Sequence, residues 1–297
     1  MGYIVDISKF QPCNKIDWPT FSKNVDLLIA RVQYGSTVPD EEYQGHANCA
    51  KQHGVPFLTY AFPCFVSVPD ARVEARDAAT RQDKDSKGMI IDIEAEFDKL
   101  GNPVGITKLS TQERLDGLKA FVDELRKQGV NKVGAYVAHN IYRPWGFDTI
   151  ANLFDFVWIP RYGVNDGQQH TKPDYPCDLW QYTSVGKVPG YNGPLDLSVL
   201  TGSKPLEWFT GAAQAQPASI GWIPTSNPIC AQVRVIASAL NIRQGPGTQY
   251  PIVQVAKKGK IFNVTANIND WHEVILDNNG SKGYAYGNKG TYLELIR

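Results

Sequence analysis

The chain has 297 residues, 42% hydrophobic and 20% charged, with 30 Lys/Arg against 30 Asp/Glu. That length suggests about two domains, with room for a core that needs no disulfide or metal staple. Zero net charge gives no bulk basis for nucleic-acid binding, and no stretch approaches the ~20 apolar residues of a membrane span.

Short apolar runs bounded by Gly, Pro or polar residues predict strands at Tyr3–Asp6, Leu27–Val32, Pro56–Phe62, Gly88–Glu94 and Val133–Val137. Between them, helices are expected near Glu41–His53, Pro69–Gln82 and Ser110–Gln128. The last is the clearest. Ser110 and Glu113 form a capping box, Leu115, Leu118, Val122 and Leu125 make one stripe, and Gly129 stops it. Repeated βα units imply a parallel sheet, either a barrel or a doubly wound sheet. No Gly-rich phosphate fingerprint follows the first strand, which disfavours the dinucleotide-binding alternative. After Phe156–Ile159 the strands Leu179–Tyr182 and Leu195–Leu197 are separated by Gly/Pro-rich loops. The α/β expectation is therefore an irregular (β/α)-barrel of five βα units and then three strands, over residues 1–210. Residues 211–229 are small and polar and read as a linker. Residues 230–297 carry Val-rich short strands and turns at Gly245-Pro246-Gly247 and Asn278-Asn279-Gly280, which predict a second, small all-β barrel. This tail holds eight Lys/Arg and four Asp/Glu, against 22 and 26 elsewhere, a bias that suits an anionic polymer or is an incidental asymmetry.

Asp92-Ile93-Glu94 ends an apolar strand. Residues two apart on a strand share a face, with Cα atoms about 6.7 Å apart. Two carboxylates so placed cannot both ionise freely, and a protonated carboxyl beside an ionised one suits glycoside hydrolysis. Alone, an Asp-x-Glu at a strand end reads more readily as two solvated surface acids. Asp6 and Asp196 also lie at strand ends, so closing the barrel would gather four carboxylates at one mouth. Tyr60, Phe62, Tyr136, Trp158, Tyr162, Trp180 and Tyr182 lie near the same ends, where they could stack on sugars or simply pack the barrel. No metal-binding motif, cofactor motif or recognisable Cys/His nucleophile pair is present.

In order along the chain, Asp6-Ile7-Ser8 with Gln11, Tyr60-Ala61-Phe62, Ile91-Asp92-Ile93-Glu94, Tyr136, Trp158-Ile159-Pro160-Arg161-Tyr162, Trp180-Gln181-Tyr182 and Leu195-Asp196-Leu197 resemble glycoside hydrolase family 25, the Chalaropsis-type lysozymes. The resemblance covers the first domain. It implies a muramidase cutting the β-1,4 bond between N-acetylmuramic acid and N-acetylglucosamine, with retention and neighbouring-group participation. It makes Glu94 the proton donor and Asp92 a helper to the substrate's 2-acetamido group, although the backbone spacing leaves direct attack by Asp92 open. Asp6 and Asp196 would shape the charge, and Tyr60, Phe62, Tyr136, Trp158, Tyr162, Trp180 and Gln181 would contact substrate. Ser198 and Ala61 depart from the usual family residues, Asn and a bulkier polar group. Alternatives are an N-acetylglucosaminidase and a wall-binding protein with an inert barrel.

Leu240-Asn241-Ile242-Arg243-Gln244-Gly245-Pro246-Gly247, with Gly259, Trp271 and Gly283-Tyr284, resembles a bacterial SH3-type wall-binding domain. Asn241 and Arg243 are expected to fix its turn, and its ligand would be wall peptide or cross-bridge. Cys13, Cys49, Cys64, Cys177 and Cys230 form no even framework and are expected as free thiols. Met1-Gly2-Tyr3-Ile4-Val5-Asp6 lacks a secretory-signal layout. The combination resembles a monomeric bacteriophage endolysin, made in the host cytoplasm and acting on peptidoglycan after release.

Overall fold

The structure, a computed structural model, describes residues 2–211, 231–248, 250–268, 270–277, 281–287 and 292–296. Two compact units divide the chain, Met1–Pro217 and Ala218–Arg297. Of the expected 211–229 linker only Gly211 is described, and Cys230 and the Asn278-Asn279-Gly280 turn also lie outside the described residues.

The first unit is a closed barrel of β1 (Tyr3–Ile7), β2 (Val25–Tyr34), β4 (Phe57–Phe62), β5 (Met89–Ile93), β6 (Val133–Val137), β7 (Phe156–Pro160), β8 (Leu179–Gly186) and β9 (Leu195–Leu200), with the two-residue β3 (Val38–Pro39) folded back on β2. β1 pairs with β2 on one side and β9 on the other, which closes the ring. The barrel strands from β1 to β8, β3 lying outside the ring, run parallel, whereas β9 is antiparallel to both neighbours. That reversal brings the start of β9 to the end of the barrel where the other strands finish.

Outside the barrel run α1 (Trp18–Phe21), α2 (Tyr43–Gln52), α3 (Val68–Arg81) and α4 (Thr111–Lys127). The fifth connection, after β6, holds two 3-10 turns at Phe147–Thr149 and Ala151–Leu153 rather than an α-helix. The α4 capping box forms as its sequence predicts: Glu113 N–H donates to Ser110 Oγ at 3.3 Å and Ser110 N–H to Glu113 Oε2 at 2.9 Å. Its apolar stripe, with Phe121, enters the core between barrel and helices. α3 turns Ala71, Ala75 and Ala78 inward, short side chains that let its backbone approach its neighbours.

Strand alternation decides what fills the barrel. Ile4, Leu27, Ile29, Leu58, Ile90, Phe156 and Leu179 point inward and pack together. Gly134 leaves the space that the Phe156 ring takes, since a Cβ there would lie 2.2 Å from it. A last helix, α5 (Leu206–Thr210), plugs the opposite end from the mouth. Its Phe209 and Trp208 meet Phe156 edge-on at 5.2 and 5.8 Å. Lys132, just before β6, donates to the Trp208 carbonyl.

The second unit is a seven-stranded sheet of β10 (Ala231–Val235), β11 (Ala239–Arg243), β12 (Ile252–Lys257), β13 (Ile261–Ile268), β14 (Trp271–Ile275), β15 (Lys282–Tyr286) and β16 (Leu293–Leu295), in the order β12-β11-β15-β14-β13-β10-β16. Its small core includes Val233, Val235, Ile242, Phe262 and Val274. Arg243 donates to the Tyr250 carbonyl at 2.8 Å, the turn-holding role its motif suggests. Asn241 is exposed.

Candidate active site

The mouth is built one residue pair above the apolar filling. On the same inward face, Ile4 is followed by Asp6, Ile29 by Arg31, Leu58 by Tyr60, Ile90 by Asp92, and Leu179 by Gln181. Glu94 comes one residue past β5 on that face. Asp196 reaches the group because β9 is reversed, and its Cα is the register partner of Asp6. Like charges placed directly across a ladder repel, so this pairing is kept against a local cost.

Gln181 organises the floor of the mouth. Its Nε2 donates to both carboxylate oxygens of Asp6, at 3.1 and 3.0 Å. Its Oε1 accepts from the Tyr136 hydroxyl at 2.9 Å and the Tyr162 hydroxyl at 2.7 Å. Expected as a sugar contact, Gln181 is buried with its carboxamide engaged by three neighbours. It is a strut for Asp6, Tyr136 and Tyr162.

All four carboxyls hold their protons more tightly than usual. Asp92 is raised well above the carboxylate range by burial, then by Glu94 and Asp6, with Arg31 acting against the rise. Asp6 is raised well above it by burial and then by Asp196, while Gln181 offsets part of the effect. Glu94 is raised by burial; Tyr136 lowers it and Asp196 raises it. Burial pushes Asp196 up to about 6. Such a cluster titrates as a unit and retains a shared proton where an isolated carboxyl has none. One oxygen stands apart: Asp92 Oδ1 is buried and has no hydrogen-bond partner. An orphan acceptor at a reactive centre calls for a donor from outside the protein.

The aromatic side chains divide into three groups. Tyr60, Tyr136 and Tyr162 join the carboxylates, and burial raises the pKa of each. Phe62 lies further out, its ring stacked on Tyr34 at 4.8 Å and 11°. Trp158 and Trp180 are not the sugar-facing surfaces expected of them. Trp158 is 2% exposed, packs edge-on to Tyr136 at 4.5 Å, and donates from Nε1 to Ser198 Oγ at 3.0 Å. It supports Tyr136 from within the barrel. Trp180 has the opposite parity to Gln181. It is 1% exposed, belongs to the outer core, and donates to the Arg161 carbonyl at 2.7 Å. The two departures from the family pattern are thereby located. Ser198 serves Trp158, and Ala61 lies fully buried in the outer core, away from the mouth.

Two residues of the mouth were not anticipated. Arg31 is the cation that opposes the rise at Asp92 and Tyr60. Its Nε donates to Asp40 Oδ2 at 2.8 Å, and that carboxylate also accepts from the N–H groups of Lys9 (3.0 Å) and Glu42 (3.1 Å). A lone Arg with the parity of Leu27 and Ile29, inside an apolar strand, was the available signal.

This arrangement pairs a buried carboxyl able to donate a proton with a second carboxyl able to order a substrate group, which is the equipment of a glycosidase. Comparison with known proteins agrees. Residues 5–191 match the family model of the Glycosyl hydrolases family 25, and residues 238–293 that of the Bacterial SH3 domain. No curated protein matches the chain. Among solved structures, the catalytic domain of endolysin ply40 from bacteriophage P40 of Listeria monocytogenes is 27% identical with a TM-score of 0.61, covering 71% of this chain and 98% of that one. GHIP, a glycosyl hydrolase 25 of Streptococcus pneumoniae participating in host cell invasion, is 26% identical with a TM-score of 0.61, over 69% and 89%. A bacterial lysozyme from Streptomyces coelicolor shares the fold at 19% identity and a TM-score of 0.59, over 71% and 98%. With most of its barrel matched in sequence and its carboxylates gathered at the barrel mouth, the chain belongs to glycosyl hydrolase family 25.

Proposed function

We propose that the chain is a peptidoglycan hydrolase that cuts the β-1,4 bond after N-acetylmuramic acid, as a retaining muramidase. The observation that carries the mechanism is the orphan, buried Oδ1 of Asp92. An N-acetylated sugar supplies the missing donor in its 2-acetamido N–H. Accepting that bond orients the acetamido carbonyl oxygen toward the anomeric carbon. Glu94, protonated through burial, gives its proton to the leaving glycosidic oxygen as the carbonyl oxygen attacks and the C–O bond breaks. An oxazolinium ion results. Water then attacks the anomeric carbon from the vacated side, Glu94 takes back a proton, and the acetamido group is restored with retained configuration. The positive charge that develops on the acetamido group, beside the Arg31 cation, draws Asp92 toward its ionised form, and that form stabilises the charge during both steps.

The SH3-type unit would hold wall peptide or cross-bridge and raise the local concentration of the barrel at its polymer. The endolysin relative favours a lytic role at the bacterial wall, reached from the cytoplasm of a phage host. Reduction of the new chain ends with borohydride after digestion of purified wall tests the bond assigned. Reduced N-acetylmuramic acid is expected. Reduced N-acetylglucosamine would replace this reading with a glucosaminidase, and no new ends at all would leave an inert barrel.

A further inference from the structure

Beside the carboxylates, on the β1–β2 side of the mouth, opens a cleft of about 300 Å³. Its base is the Arg31–Asp40 ion pair, and its walls include Phe10, Tyr34 and Val38. Three features set it apart from a surface irregularity. Phe10 is 70% exposed, three residues after the end of β1, and carries a cation on either hand: Arg31 Cζ at 5.5 Å and Lys9 Nζ at 5.8 Å from the ring centroid. The Asp40 carboxylate is 0% exposed, and its oxygens are taken by Arg31, Lys9 N–H and Glu42 N–H, so its charge is spent inside the wall. Lys9 Nζ has no carboxylate within ion-pair reach among the described residues.

The cleft borders the catalytic centre, since Arg31 lines it and its charge acts on Asp92 and Tyr60. The rest of the mouth is hostile to anions. Asp6, Asp92, Glu94 and Asp196 crowd the centre, and across the barrel Arg161 is already neutralised by Asp174 at 2.5 Å. A substrate with negative substituents near the cleaved bond is therefore steered to one side.

We infer that this cleft, on the muramidase reading above, is a subsite for the acidic peptide attached to the muramic acid lactyl group, with a peptide carboxylate on Lys9 and the small apolar side chains of the peptide against Phe10 and Val38. The enzyme then reads the peptide as well as the sugar, and peptide-bearing strands are better substrates than bare glycan.

The test uses the full chain on two purified glycans that differ only in whether the peptides have been removed by an amidase. The wild type should show a kcat/KM about fivefold higher on the peptide-bearing strand, as expected for an exposed ion pair with a ring contact. Lys9→Glu should bring that ratio to one or below through KM, and Phe10→Ala should reduce it less. Raising the salt should shrink the ratio for the wild type and not for Lys9→Glu. Equal cleavage of the two strands by the wild type, or an equal loss on both from Lys9→Glu, overturns the subsite. A Lys9 effect that vanishes when wall phosphate polymers are stripped, with peptides intact, overturns it in favour of those polymers. Glu94-dependent hydrolysis of bare glycan separates failure of the subsite from failure of the muramidase reading, which would abolish cleavage of both.

Discussion

The lower and upper layers of the barrel interior are made by the same strands and obey opposite rules. Below, Ile4, Ile29, Leu58, Ile90 and Leu179 bury hydrocarbon against Phe156 and Phe209. Two residues on, the same strands present Asp6, Arg31, Tyr60, Asp92 and Gln181. The lower layer stabilises the fold, at about 1.5–3 kcal/mol for each large side chain fully buried. The upper layer opposes it: four carboxyls are held with raised proton affinity, one buried oxygen lacks a partner, and two aspartates face each other across a ladder. Strand parity lets a rigid apolar base hold a strained polar rim within a few ångströms.

If the layers divide stability from chemistry in this way, substitutions in them should separate. Glu94→Gln should lower hydrolysis of purified wall by about a thousandfold, the scale of a lost general acid, with an unchanged near-ultraviolet circular dichroism spectrum. Leu58→Ala, in the lower layer, should cost about 2–5 kcal/mol in denaturant unfolding of the barrel while kcat at a temperature where it stays folded changes little. Asp92→Asn should do both things in opposite senses. It removes a carboxyl whose ionisation the site resists, so the barrel should melt roughly 2–4 °C higher at neutral pH, while activity falls about a hundredfold. Equal destabilisation by Asp92→Asn and Leu58→Ala would erase the distinction between the layers.

The smallest effect concerns pH. The folded pKa of Asp196, about 6, lies above its ordinary value of 3.8. The folded state thus binds the proton more tightly, and the stability this contributes is present at low pH and lost as pH rises through that interval. Unfolding by urea should show a decline of about 1–3 kcal/mol between roughly pH 4 and pH 6 from this group, levelling above it. Asp196→Asn should shrink the decline in that interval and leave the part that Glu94, Asp6 and Asp92 contribute.

Much of this was legible from residue order. The eight barrel strands stand out as apolar runs, and the α4 boundaries follow from Ser110, Glu113 and Gly129 because caps act locally. Asp92 and Glu94 share a face by period alone. The parity of Trp180 and Gln181 was equally implied by alternation, but which parity faces the interior depends on the register of β8 against β7 and β9, a long-range property. Gln181 as a strut, Asp40 beneath Arg31, and α5 as a plug are likewise tertiary facts, since each partner lies far away in the chain. So is the meeting of Cys13 and Cys49, whose thiols come within 3.3 Å although their spacing resembles no pairing motif.

In the proposed mechanism Glu94 and an acetamido group ordered by Asp92 cleave the glycan by double displacement. Proton NMR of a defined wall oligosaccharide, recorded within the first minutes of hydrolysis, tests it most directly. Double displacement predicts that the β-anomer of N-acetylmuramic acid appears first and then mutarotates. Initial appearance of the α-anomer would mean direct attack by water and would contradict it.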